Sequence, residues 1–239
     1  MIYYHGTPIG GKRDDAMRFL KNRDALVSFY RPDDIAIAAE VCRSFVIDNG
    51  AFSAWRTGSP VEDWDPYYRF VEQWSRNPRF EWALIPDVID GSEEANDDLL
   101  AEWPFDKFGV PVWHLHESLD RLERLIAIWP IVAFGSSGEW RTPGTEEWFE
   151  RMGQAMEVAC DENGHRRAAF HGLRMLDPDI FTQFPFTSAD STNVAVNGQR
   201  KAKQVGCSIF LGQLILAERI ESQQSATVWK ARSVQSRLF

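Results

Sequence analysis

Three short apolar runs in this sequence each end on a carboxylate: "FVID" closes on Asp48, "WALIPD" on Asp87 and "FPFTSAD" on Asp190. A carboxylate can attack an electrophilic carbon, carry a proton or accept hydrogen bonds from a bound group. Three of them can act together only if the fold gathers the ends of separate runs. An Asp after a strand can also cap the next helix, so for each residue taken alone the capping reading stands beside the chemical one. Asn49-Gly50 turns the chain sharply after Asp48, and Phe52 behind it is either a stacking face for a planar ligand or a packing residue.

The histidines and one glycine-rich loop add further chemistry. His114 and His116 are two apart and share one side of a strand, which allows a metal pair or a structural or substrate-contacting role. His5 and His171 also stand at or near the ends of apolar runs. "GSSG", Gly135 to Gly138, is either a cradle of backbone N–H groups for a phosphate or an ordinary turn. Cys42, Cys160 and Cys207 are scattered and odd in number, so neither a disulfide framework nor a cysteine-based zinc cluster is readable, and no metal or other cofactor is expected.

Eight apolar runs must position these groups. They are "IYYH" (2–5), "ALVSFY" (25–30), "FVID" (45–48), "WALIPD" (82–87), "VPVWHLH" (110–116), "IVAFG" (131–135), "AAFHG" (168–172) and "FPFTSAD" (184–190). Their nearly continuous apolar character is that of parallel strands covered on both faces. Helical spacing separates them: Val61, Trp64, Tyr68 and Val71; Leu119, Leu122, Ile126 and Trp129; Trp148, Met152, Ala155 and Ala159. The returns after the first and seventh runs, near 13–22 and 177–181, are weaker. Eight β units with helical returns predict a single (β/α)8 TIM barrel spanning 1–239, with a doubly wound open sheet as the alternative. In such a barrel every strand's carboxyl end lies on one face, so Asp48, Asp87 and Asp190 would share one mouth.

Charge and composition narrow the partners. With 26 Lys and Arg against 35 Asp and Glu, the net charge of −9 excludes nucleic-acid binding by bulk electrostatics, though not a local basic patch. On the barrel reading, Arg31, Arg56, Arg141, Arg174, Arg200, Lys201 and Lys203 all follow strand ends and form a basic rim, or are ordinary solvated loop charges. Arg166 and Arg167 fall on the opposite face. No apolar run approaches the ~18 residues of a membrane helix, and the amino terminus lacks an apolar signal core, so a soluble cytoplasmic protein without membrane contact is expected.

Five segments, "IDNGAF" (47–52), "IPDVID" (85–90), "VAFGSSGE" (132–139), "FHGLRML" (170–176) and "FTSADSTNVAVNG" (186–198), stand in the order of the site motifs of the tRNA-guanine transglycosylase superfamily. Over residues 45–200 the chain resembles its compact members, the DNA 7-deazaguanine transglycosylases (DpdA type) of phages and mobile elements. The resemblance implies guanine exchange for a 7-deazaguanine base. Asp190 would be the nucleophile and Asp48 the general base. Asp87, Phe52, a backbone N–H near Gly135, and His114, His116 and His171 would surround the base, with the basic rim on the nucleic acid. The zinc-binding Cys/His cluster of the tRNA enzymes has no counterpart, and Thr192, Asn193 and Val196 replace the arginines that follow their nucleophile. DNA is therefore the expected polymer. Exchange in tRNA, a carboxylate-dependent nucleoside or glycoside hydrolase, a metal-dependent hydrolase built on His5, His114, His116 and His171, and a non-catalytic nucleic-acid-binding barrel remain as alternatives.

Overall fold

The structure, a computed structural model, describes residues 1–231. Nine strands, all paired in parallel, form one sheet: β1 (Ile2–Gly6), β2 (Asp24–Ser28), β3 (Ser44–Asp48), β4 (Phe80–Leu84), β5 (Gly109–Val110), β6 (Val112–His114), β7 (Ile131–Gly135), β8 (Ala169–Gly172) and β9 (Ser188–Ser191). Their order is β5-β4-β3-β2-β1-β9-β8-β7-β6. The two ends of that order are consecutive in the chain. Only Pro111 separates β5 from β6, so the sheet comes round on itself as a TIM-like barrel. Pro111 has no N–H to give the ladder. Val110 O accepts from Ile85 N on one side, at 2.9 Å, and Pro111 O accepts from Ala133 N on the other, also at 2.9 Å. The fifth predicted run thus hands over from one neighbour to the next at the proline, which is why nine strands stand where eight runs were expected.

The helices follow the predicted spacing with local corrections. They are α1 (Arg13–Leu20), α2 (Ile35–Val41), α3 (Ala51–Arg56), α4 (Asp65–Trp74), α5 (Glu93–Ala101), α6 (Leu119–Ile128), α7 (Glu146–Ala159), α8 (Pro178–Phe181), α9 (Asn193–Val205) and α10 (Ile209–Glu221), with a 3-10 turn at Gly138–Trp140. The α4 helix begins after Val61 and Trp64 because Pro66 suits a first turn and not a helix interior. Strand β9 is shorter than the run 184–190: Phe184 and Phe186 instead fill the core beneath it. Among the described residues, no helix is long and apolar enough to cross a membrane.

Strand alternation divides the core in two. Outward residues such as Val27, Phe45, Ile47, Ala83, Trp113, Val132, Phe134, Phe170 and Ala189 pack under the helices. Inward residues Tyr4, Leu26, Val46, Trp82, Leu84, Val110, Val112 and Ala133 fill the barrel interior. Two residues further along their strands, the same inward parity delivers Ser28 after Leu26, Asp48 after Val46, His114 after Val112 and Gly135 after Ala133. The mouth is therefore the last, polar layer of an otherwise apolar barrel.

A buried polar network braces one side of that layer. Glu117 Oε1 accepts from Asn96 Nδ2 at 2.8 Å, while its Oε2 accepts from His114 N at 2.8 Å and Arg121 Nη1 at 2.7 Å. Asn96 Oδ1 in turn accepts from Val88 N at 2.7 Å, next to Asp87. Glu117 and Arg121 are 2% and 1% exposed, so neither charge has water as a substitute partner. Glu117→Ala leaves the Arg121 guanidinium buried beside only Asp97 and a carbonyl, and urea unfolding at pH 7 should show a loss of about 3–5 kcal/mol. A loss under about 1 kcal/mol would show that the network carries little stability.

Candidate active site

The carboxyl ends of the strands surround a cavity of about 560 Å³ whose walls include Ser28, Asp48, Asn49, Asp87, His114, Gly135, Arg174 and Asp190. The three carboxylates predicted from separate runs do meet here. None of them caps a helix: the N-cap of α3 is Gly50, that of α5 is Ser92, whose hydroxyl accepts from Ala95 N, and that of α9 is Thr192. The capping alternative is therefore excluded for all three.

Asp48 is half-buried and lines the cavity wall, more open to it than Asp87 or Asp190. Its Oδ2 accepts from Gly50 N at 3.2 Å. Burial pushes its pKa up to about 7; the nearby charges of Asp190 and Asp87 push the same way, and hydrogen bonds from the Ser28 hydroxyl and Gly50 N–H oppose them. Gly50 has φ of +84°, and a Cβ there would lie 2.9 Å from Tyr30 N, so the turn that aims its N–H at Asp48 needs glycine.

Asp87 is held on both oxygens. Oδ1 accepts from Asn49 Nδ2 at 2.7 Å and Oδ2 from His114 Nε2 at 2.8 Å. Asn49 Nδ2 also reaches Ile85 O at 2.8 Å, and its Oδ1 accepts from Ala51 N, so the amide orientation is fixed. A carboxylate acceptor requires the proton of neutral His114 on Nε2, which leaves Nδ1 as a buried acceptor without a partner among the described residues. Gly135 lies against that ring: a Cβ would meet Nδ1 at 2.9 Å.

Asp190 is 5% exposed and differently placed. Its Oδ1 accepts from Arg174 N at 2.9 Å and lies 3.4 Å from His171 Nε2, leaving Oδ2 without a protein partner among the described residues. Arg174 reaches this position through a left-handed backbone, φ +58°, uncommon for a side chain of its size. Its guanidinium lies 4.0 Å over the Phe52 ring and donates to Arg141 O at 3.2 Å. Burial pushes the Arg174 pKa down although an edge of the group stays open; the Asp190 charge opposes that shift and Arg56 adds to it.

Several expected contacts are relocated. Phe52 lines the cavity, but Arg174 covers one face of its ring, and Trp55 is tilted against it with centroids 5.6 Å apart. His171 does not reach the cavity. It is fully buried in the barrel beneath Asp190, with Nδ1 2.9 Å from Ser188 Oγ and its ring against Trp82. His116 lines a neighbouring chamber, because the strand ends at His114 and the chain turns away. His5 faces the helical layer, where Nε2 pairs with Glu221 at 2.9 Å, so the four histidines do not converge. Among the described residues no three His, Cys, Asp or Glu side chains are grouped to hold a metal ion.

The basic rim is partial. Arg31, Arg56 and Arg174 line the cavity and Arg141 lines the neighbouring chamber. Arg200, Lys201 and Lys203 do not belong to it. Only the start of α9, through Ala195 and Val196, reaches the cavity, and at 1.5 Å per residue Arg200 and Lys203 lie about 6 and 10 Å further down the helix. Sequence reasoning also missed Ser28, Asn49 and the Arg174 N–H. For Ser28 the signal was its inward parity after Leu26, and for Asn49 the Asn-Gly pair masked a side chain that bonds across strands. Compared with known proteins, the chain matches no family model and no curated protein.

An Asp in an unfolded chain loses its proton near pH 4, whereas folded Asp48 loses it near 7. Between these values the unfolded chain has released a proton that the folded chain keeps, so this group's contribution to stability falls as pH rises from 4 to 7 and is lowest above 7. Asp48→Asn removes the ionisation. The variant's Tm should match wild type at pH 4 and exceed it at pH 8 in calorimetry, by on the order of 10 °C if the whole shift is expressed in stability. An equal difference at both pH values would show that Asp48 titrates in the ordinary range.

Proposed function

We propose that this protein exchanges guanine in DNA for a 7-deazaguanine base through a covalent aspartyl-glycosyl intermediate, with Asp190 as nucleophile and Asp48 as the proton carrier. The observation that supports this most directly is the contrast between two carboxyl groups on one cavity. Asp190 has one oxygen fixed by Arg174 N and the other unpartnered among the described residues, whereas Asp48 is pushed up to about pKa 7 by desolvation and by its carboxylate neighbours.

Asp190 Oδ2 attacks C1′ of the target nucleotide as the C1′–N9 bond breaks, and the bonding pair leaves with guanine N9. Protonated Asp48 gives its proton to that nitrogen. After guanine departs, N9–H of the incoming base returns a proton to Asp48 as N9 attacks C1′, and the Asp190 carboxylate is released. A group with pKa near the working pH serves both halves, because neither protonation state is scarce. Each oxygen of Asp87 keeps a lone pair for N–H groups of the purine edge, and the Ser136 N–H, unpartnered among the described residues, stands at the same wall to donate to its carbonyl. The cycle needs no cofactor. A flipped nucleotide fits the cavity in size, and Arg56, together with Arg31 in its ion pair with Asp33 at 3.0 Å, lines the same cavity.

Denaturing gels with a guanine-containing oligonucleotide test the roles. Asp190→Asn should form no protein–DNA adduct and lose exchange by several orders of magnitude. Asp48→Asn should retain more of the attack than of the exchange, with exchange falling ~10²–10⁴-fold. A wild-type-like adduct on Asp190→Asn, or an adduct abolished only by Asp48→Asn, would reverse the roles. Release of guanine with no incorporation of added base would make the protein a hydrolase instead. Nucleoside mass spectrometry of DNA and tRNA from cells that express the protein and make 7-deazaguanines identifies the polymer.

A further inference from the structure

A second chamber of about 550 Å³ adjoins the active-site cavity and shares Phe52, Ile89, Ser136 and Arg174 with it. Its remaining walls include Trp55, His116, Ser137, Gly138 and Arg141. Neither the exchange chemistry nor the core uses these groups. Arg141 and Arg174 have no carboxylate partner within ion-pairing distance among the described residues, and the carbonyl of one already anchors the guanidinium of the other. The loop between them offers donors. Ser137 is 1% exposed, yet its N–H and that of Gly138 bond to nothing among the described residues. The Ser137 hydroxyl is already engaged: His116 Nε2 lies 3.0 Å from Gly91 O and must donate there, so in neutral His116 the ring accepts from Ser137 at Nδ1, 2.7 Å away. One carboxylate, Asp90, stands at the exposed edge of the chamber.

We propose that the second chamber is a phosphate-binding site, in which the Arg141 and Arg174 guanidinia and the Ser137 and Gly138 N–H groups hold a phosphoryl oxyanion. Two fork-shaped cations and adjacent backbone donors match the shape and charge of phosphate. The phosphate comes either from the polynucleotide, one residue from the target base, or from a phosphorylated small molecule. The first source rests on the exchange reading above; the site itself does not.

Calorimetric titration of the full chain with inorganic phosphate at low ionic strength tests the site. One phosphate per chain should bind, and Arg141→Ala, an exposed position whose side chain supports no other group, should weaken it about tenfold or more. Arg166→Ala, on the opposite face, should leave it unchanged. No binding, or equal binding by wild type and Arg141→Ala, would overturn the proposal, whatever the adduct gels show. A second arm uses guanine oligonucleotides carrying one neutral methylphosphonate at successive positions. If one position costs wild-type affinity and costs Arg141→Ala nothing further, the bound group is that phosphodiester. If Arg141-dependent phosphate binding persists while no position couples to Arg141, the site takes a phosphorylated small molecule.

Discussion

Three carboxylates around one cavity repel one another, and much of the mouth is arranged around that constraint. Asp87 accepts hydrogen bonds from Asn49 and His114 on its two oxygens, and Asp190 is tied by a backbone N–H. At Asp48 burial outweighs the Ser28 and Gly50 hydrogen bonds, and the charges of Asp190 and Asp87 add to it in lifting the pKa to about 7. The difference among the three carboxylates follows from environment rather than residue type. Three identical side chains meet different electrostatic conditions because their neighbours differ, and the roles proposed for them rest on that difference.

The barrel makes this crowding mechanically possible. Its interior below the mouth is filled by Tyr4, Trp82, Leu84, Val110 and Val112, so water cannot enter from beneath, and the sheet closes at Pro111 without leaving an open edge near His114. Closure fixes the separation of strands β3, β4 and β9, which carry or immediately precede the three carboxylates. A doubly wound open sheet would place β9 and β4 on a line instead of around a ring. The buried Glu117–Arg121–Asn96 network then fixes the two loops from behind, holding the His114 N–H and the Val88 backbone that flank the Asp87–His114 pair.

The fold was legible in the sequence because barrel strands covered on both faces read as apolar runs, and a carboxylate at the end of such a run stands out. Asp48, Asp87 and Asp190 were found in this way. What sequence could not carry is parity at a turn. His116 has the same spacing from His114 as two residues facing one side of a strand, but the strand stops at His114 and the rule stops with it. His171 has the right parity yet lies one layer too deep, and Arg200, Lys201 and Lys203 follow a strand end only after the helix has already left the mouth. Contacts made by backbone groups, such as Arg174 N on Asp190, leave no trace in residue type.

Arg174 shows why such a contact matters. Its left-handed backbone costs on the order of 1–3 kcal/mol, and a residue holds that conformation only where the surroundings over-determine it. Here they do so three times: the N–H is fixed on Asp190, the guanidinium on the Phe52 ring, and an Nη group on Arg141 O. The first contact belongs to Asp190, while the second and third form the wall between the two chambers. Moving the guanidinium into either chamber shifts what holds the strained backbone in place. The orientation of Asp190 and the wall between the two chambers thus depend on one residue, so a change at the Arg174 side chain reaches the Asp190 carboxylate through the backbone.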